Sequence, residues 1–206
     1  YMKSNEFSDI CPAFAYRKWD TYAAQGKMHI ARALIDEEFG WEDSALLPQI
    51  VFACDMCGGC TINALRIMEE SPLEVFRALR ARAVEKGLAP PEHKRFYEST
   101  TKNGNPLGAP REERLKWTEG LGFKIKTLPK ERASVLLYTG CQYELEPRVR
   151  DTLKTMAQVL KAGGVDFGFL GADEKCCGGI QLLMGESGMF EQLARDNIKT
   201  FNNLGI

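Results

Sequence analysis

Cys54-Asp55-Met56-Cys57-Gly58-Gly59-Cys60 sets three thiols at C-x2-C-x2-C spacing. A loop of this pitch wraps one face of a cubane and offers a thiolate to each of three irons, so a fourth ligand has to come from elsewhere. In two-cluster ferredoxins the run is C-x2-C-x2-C-x3-C-P, and its last Cys ligates the other cluster. Here position 64 is Ala64, followed by Leu65, while a Cys-Pro pair stands upstream at Cys11-Pro12. Counting back from Cys11 by the same spacing meets Tyr1, Ser4 and Phe7. The absent thiols, at positions 1, 4, 7 and 64, would all belong to one cluster under the crossover rule. Cys11, Cys54, Cys57 and Cys60 remain as one complete [4Fe-4S] site. Zinc also takes four thiolates, usually from two C-x2–4-C knuckles. A triplet plus a Cys-Pro is the iron–sulfur pattern, with a zinc-stabilised interaction module as the alternative. Gly58 and Gly59 suit close approach of the backbone to a cluster, and their amides are candidate donors to its sulfurs.

The surrounding composition is that of a globular protein. The chain has 206 residues, 44% of them hydrophobic, which suggests one or two small domains. A net charge of −1 gives no bulk attraction to nucleic acid or an anionic membrane. No apolar run approaches the ~18–20 residues that span a bilayer, and no signal-peptide pattern is present. The expected location is cytoplasmic, or at the membrane periphery through a partner. Seven cysteines and only two histidines, His29 and His93, point to metal ligation rather than a complete disulfide framework.

Residues 1–87 read as helical. Lys18 to Phe39 carries Met28, Ala31, Leu34 and Ile35 at helical spacing, with Gly26 weakening its middle and Gly40 as the stop. Leu46 to Val51 forms a short helix before the triplet. Ser71-Pro72-Leu73-Glu74 starts another, with Ser71 as cap and Glu74 reaching back. Residues 88–130, broken at Pro90-Pro91, Asn103-Gly104-Asn105-Pro106 and Gly108-Ala109-Pro110, read as a linker with a short helix around Arg111 to Gly120. Residues 131–206 read as α/β: strands at Ala133–Tyr138 and Val165–Leu170, and helices at Pro147–Ala162 and from near Glu186 to Asn203. That order suggests a βαβ unit with a parallel sheet. Trp19, Trp41 and Trp117 read as core or interface anchors.

Cys141 follows the first of these strands and Cys176-Cys177-Gly178-Gly179 the second. Loops after parallel strands lie at the carboxyl edge of the sheet, where ligands bind in open α/β folds. The two loops can therefore meet at one site, and two adjacent thiolates plus a distant third suit a metal or cluster. Buried free cysteines acting as small apolar residues are the alternative.

At this point the sequence resembles the iron–sulfur and cysteine-rich subunits of heterodisulfide reductase. Their relatives include iron–sulfur subunits of glycolate, lactate and glycerol-3-phosphate oxidation systems and of membrane-linked sulfite-reduction complexes. The resemblance covers nearly the whole chain. Cys11-Pro12, Gly26-Lys27-Met28 and the triplet resemble an α-helical ferredoxin domain over 1–87, and Gly104-Asn105-Pro106 and Glu113 to Trp117 the linker over 88–130. Tyr138-Thr139-Gly140-Cys141, Leu160 to Phe167 and Glu174-Lys175-Cys176-Cys177-Gly178 resemble a Cys-Cys-Gly domain over 131–206.

The resemblance implies Cys141, Cys176 and Cys177 as ligands of a non-cubane [4Fe-4S] assembly, or in some members of a different cluster. The family's later C-x2-C would fall just after Ile206. Either this sequence is a piece of a longer chain, or a partner chain completes the site, or the site is empty. The resemblance further implies an electron-transfer subunit of an oxidoreductase complex. Its partner would be a flavoprotein, another iron–sulfur subunit, or a membrane quinone or cytochrome subunit. Electrons would pass from the cubane toward the second site, which reduces a disulfide. The alternative is a pure relay to a membrane quinone partner.

Overall fold

The helix expected over Lys18–Phe39 is shorter at both ends. In the computed structural model, which describes residues 10–65, 69 and 71–206, helix α1 (Pro12–Arg17) begins on a proline suited to a first turn and closes at Lys18, φ 61°. Positions 1, 4 and 7 of the two-cluster template lie outside the described residues. A 3-10 turn at Asp20–Tyr22 leads into α2 (Ala24–Ile35). The chain leaves α2 at Asp36, and Glu37 takes a φ of 56°, so the helix ends before Gly40. Gly26 has a role that propensity alone misses. A Cβ there would lie 2.4 Å from the Asp20 carbonyl oxygen and 2.4 Å from Thr21 Cα, so only glycine lets the 20–22 turn rest on α2.

The chain divides into two compact units. The first takes the residues up to Pro91 together with Gln181–Ser187. It holds α1, α2, α3 (Leu46–Phe52), α4 (Gly59–Ala64) and α5 (Pro72–Glu85). Ala31, Val51, Met56, Phe76 and Leu79 form its core, and Cys54 and Cys60 pack against that core half-buried. Ser71 stands at the start of α5 as expected, but its side chain does not cap the helix. Thr61, next to Cys60 on α4, takes that place: its Oγ1 accepts the Leu73 amide at 3.3 Å and lies 3.3 Å from Ser71 Oγ. Glu74 pairs with Arg77 at 2.8 Å instead of reaching back. The start of α5 is thereby tied to the helix that carries Cys60.

The second unit takes Glu92–Ile180 and Gly188–Ile206. The stretch 88–130 contributes α6 (His93–Asn103), a 3-10 helix at Arg111–Thr118 and strand β1 (Lys126–Thr127). The two expected strands are present and shorter, β2 at Val135–Leu136 and β3 at Phe167–Phe169. Sheet order is β1-β3-β2, all parallel, with Lys126 opposite Gly168 and Val135 opposite Phe167. Between β2 and β3 run α7 (Cys141–Leu145) and α8 (Arg150–Ala162); α9 (Gly179–Met184), which the units share, and α10 (Ser187–Asn203) follow. Trp117, Leu121, Ile125, Leu153, Ala157, Phe167 and Phe169 make the core, with Trp117 edge-on to Phe169 at 5.6 Å between ring centroids. No helix of the described residues is long and apolar enough to cross a membrane.

Candidate functional site

The first cysteine set is gathered within the first unit. Cys11 stands at the residue before α1, Cys54 and Cys57 lie on the loop between α3 and α4, and Cys60 sits in the first turn of α4. All four are free thiols, Cys57 exposed and the others half-buried. Gly58 has a φ of 77°, and a Cβ on Gly59 would lie 2.9 Å from Ile10 Cγ2. The triplet loop therefore passes directly over the residue that precedes Cys11.

A buried cation faces three of these thiols, Cys11, Cys54 and Cys60. Lys27 is 1% exposed, and its Nζ donates to the Tyr22 carbonyl. Cys11 Sγ donates to the same carbonyl at 3.8 Å. Burial lowers the Lys27 pKa, and the sulfurs of Cys54, Cys11 and Cys60 oppose that shift. Burial raises the pKa of Cys54 and Cys60, with Lys27 and Arg80 pulling Cys54 the other way. Arg80, also buried, donates to the Cys54 carbonyl and, at 3.3 Å, to that of Phe52. An ammonium removed from water costs several kcal/mol unless an anion meets it. The groups here able to become that anion are thiols. Among the described residues no three His, Cys, Asp or Glu side chains converge to hold a single metal ion. The fit to a cluster thus rests on the donor set and its counter-charge: soft thiols, suited to iron–sulfur chemistry, around a built-in cation.

The second set is gathered within the second unit. Cys141 opens α7, after Gly140 at φ 76°, and Cys176-Cys177 precede Gly178 at φ 81°. The three sulfurs form a hydrogen-bonded series. Cys176 is hydrogen-bonded both to Cys141 and to Cys177. The bond to Cys176 lowers the Cys141 pKa, the bond to Cys141 raises that of Cys176, and the bond to Cys176 raises that of Cys177. The amides of Gly178 and Gly179 each reach a sulfur at 3.4 Å, Cys176 and Cys177 respectively. A Cβ on Gly178 would meet Phe190 Cδ2 at 3.0 Å.

Three buried charged residues hold these loops, and sequence reasoning gave them no role. Arg114 and Glu144 are 0% exposed and Glu174 is 2% exposed. Glu174 accepts the amides of Thr139 at 3.1 Å and Gly140 at 2.7 Å, just before Cys141. Arg114 pairs with Glu144 and donates at 3.1 Å to the Gly104 carbonyl, which also accepts the Cys176 amide at 3.0 Å. Asn197 Nδ2 donates to the Cys176 carbonyl at 3.0 Å, and the Tyr138 hydroxyl to that of Lys175 at 2.6 Å. Thr139 Oγ1 touches Glu144 Oε1 and lies 3.0 Å from Glu174 Oε2. One hydroxyl proton cannot serve both carboxylates, so a proton on Glu144 completes the series from Glu144 through Thr139 to Glu174. Burial, then the Glu174 charge, push Glu144 up to about 7 against the pull of Arg114. The available signal was the position of Arg114 and Glu174 inside motifs otherwise notable for Trp117 and Cys176.

Residues 135–206 match the model of the cysteine-rich CCG domain. One component of the dihydromethanophenazine:CoB–CoM heterodisulfide reductase of Methanosarcina mazei is 29% identical over 100% of this chain and 49% of its own length. The EtfAB:quinone oxidoreductase of Syntrophomonas wolfei is 26% identical over 77% of this chain and 22% of its own length. A protein of Chromohalobacter salexigens named "Probable membrane-anchored ferredoxin" is 29% identical over 82% of this chain and 23% of its own length. The chain thus spans half or less of the length of these curated relatives. No solved structure matches it. Residues 135–206 thus carry a cysteine-rich CCG domain, and the whole chain is similar to a heterodisulfide reductase subunit and to iron–sulfur oxidoreductases.

Proposed function

We propose that the chain is an iron–sulfur electron-transfer part of a heterodisulfide reductase-like oxidoreductase. Cys11, Cys54, Cys57 and Cys60 would hold a [4Fe-4S] cubane, and Cys141, Cys176 and Cys177 a second, non-cubane cluster. The observation that carries the reading is the meeting of Cys141 with Cys176 and Cys177, thiols 35 or more positions apart in sequence from Cys141. Bound at these thiolates, iron–sulfur groups supply one-electron transfer. The chain's own residues position the ligands. Glu174 and Arg114 fix the loops of Cys141 and Cys176 through backbone amides and the Gly104 carbonyl. Metal uptake displaces thiol protons, and Cys141, whose pKa is lowered, is the first of its set to ionise.

In the finer form of the proposal, electrons from a flavoprotein or another iron–sulfur subunit pass toward the second site. There a disulfide takes two electrons and two protons and leaves as two thiols. A second reading, a relay to a membrane quinone partner with no substrate site here, draws on the quinone oxidoreductase among the relatives. The test is anaerobic reconstitution of the wild type and of Cys54→Ala and Cys141→Ala. Iron, acid-labile sulfide and paramagnetic resonance spectra are then read on each. Each variant should lose one distinct cluster signal and keep the other. A colourless wild type holding stoichiometric zinc would overturn the proposal. Disulfide turnover by the reconstituted chain would favour the first reading over the relay.

A further inference from the structure

We propose that Lys27 is the counter-cation of the cluster site and sets the reduction potential of the group held by Cys11, Cys54, Cys57 and Cys60. The inference rests on the cubane reading above and adds to it a residue that is no ligand.

The placement is specific at each step. Gly26 lets the 20–22 turn lie against α2, since any side chain there would strike the backbone of Asp20 and Thr21 at 2.4 Å. That contact brings the Tyr22 carbonyl to Lys27 Nζ and to Cys11 Sγ together. The Lys27 stem is sealed, with Nζ 6.0 Å from the Phe76 ring centroid, and Phe76 belongs to the core against which Cys54 and Cys60 pack. Cys54, Cys11 and Cys60 all act electrostatically on the ammonium.

When Cys11 gives up its proton to become a ligand it ceases to donate to Tyr22, and that carbonyl accepts from Lys27 alone of the two. The ammonium, only 1% exposed, then faces thiolates from a buried position, where a unit charge acts more strongly than at the surface. One-electron reduction adds a negative charge to the bound group. A fixed positive charge beside it favours the reduced state and raises the potential. Arg80 adds to the same field, anchored through the Cys54 carbonyl.

The test is a redox titration of the full chain, reconstituted anaerobically, as wild type and as Lys27→Met, Lys27→Gln and Lys27→Arg. The signal followed is the paramagnetic resonance component that Cys54→Ala abolishes. At a fixed potential near the wild-type midpoint, the neutral variants should show a roughly tenfold lower ratio of reduced to oxidised cluster. That corresponds to a midpoint about 59 mV lower for a one-electron couple. Lys27→Arg should stay near the wild type. Neutral variants that load a cluster and titrate with the wild type overturn the inference. Where the neutral variants fail to load, full loading of Lys27→Arg supports the charge, and equal failure of Lys27→Arg overturns it in favour of packing. A wild type that takes up no cluster refutes the cubane reading itself. Failure of that reading is therefore seen in the wild type, and failure of the inference in the variants.

Discussion

Replacing Glu144 by glutamine should make the second unit less sensitive to pH and more stable in mild alkali. Glu144 is fully buried between Arg114 and Thr139, and burial followed by the Glu174 charge push it up to about 7 from an ordinary 4.5. The sign follows from where the proton sits. Below pH 4.5 both folded and unfolded chains hold it. Between 4.5 and about 7 the unfolded chain releases it while the folded chain keeps it, so stability falls as pH rises and levels off above the folded value. Each pH unit of that window is worth about 1.4 kcal/mol, so the fall totals roughly 3 kcal/mol. Glu174, also raised by burial, adds to the fall in the same sense. The introduced amide would mimic the protonated acid, offering an N–H to Thr139 and an oxygen to Arg114, and should remove most of the slope. Arg114→Met should do the reverse. It strands two buried carboxylates and should cost about 3–5 kcal/mol at pH 8, and less at pH 5, where Glu144 is neutral. The assay is urea unfolding of the metal-free, reduced chain from pH 5 to 8, followed by fluorescence of the buried Trp117 with Trp19 and Trp41 replaced by Phe. A wild-type midpoint that does not change over that range, or a Glu144→Gln variant with the full wild-type slope, would refute the reasoning.

Gly26→Ala should destabilise the first unit by about 1–3 kcal/mol, because its Cβ meets backbone rather than a movable side chain. Urea unfolding checks this, and a neutral result would mean the 20–22 turn is free to withdraw. Gly178→Ala combines a φ of 81° with a clash on Phe190 and should cost roughly 1–2 kcal/mol for the conformation alone. Faster labelling of the buried Cys176 would report the opened loop. Alkylation of the metal-free chain, mapped by mass spectrometry over a pH series, should modify Cys141 at lower pH than Cys177. The series of sulfur hydrogen bonds lowers the one and raises the other. The opposite order would remove that series from the account.

What the sequence discloses, and what it hides, follows from the range of the interactions involved. The parallel βαβ core was legible because Ala133–Tyr138 and Val165–Leu170 are short apolar runs on either side of an amphipathic helix, a pattern set by local periodicity. Strand β1 was not legible. Lys126-Thr127 has no apolar run, and its place beside β3 depends on Gly168, where a Cβ would lie 2.9 Å from the Lys126 carbonyl oxygen. The cap of α5 shows the same limit. Ser71-Pro72-Leu73-Glu74 marks the correct start, yet the capping oxygen belongs to Thr61, twelve residues before Leu73. The cysteines announced themselves by spacing, and the structure brings Cys141 to Cys176. Their support did not, because Lys27, Arg114, Glu144 and Glu174 look like ordinary surface charges until the fold buries them.

That burial is itself informative. A charged side chain kept out of water is unfavourable to stability unless it is matched, and in each unit the match runs through the cysteine loops. In the first the matching anions are thiols, which serve only when ionised. In the second, Arg114 is met by carboxylates, and the surplus negative charge is relieved by a proton near Cys141. Thiol ionisation in the first unit therefore stabilises a cation already in place. In the second unit, charge arriving at the cysteines adds to an acid pair that already shares a proton. The first arrangement favours negative charge at its thiols. The second favours taking up a proton along with any negative charge gained beside it.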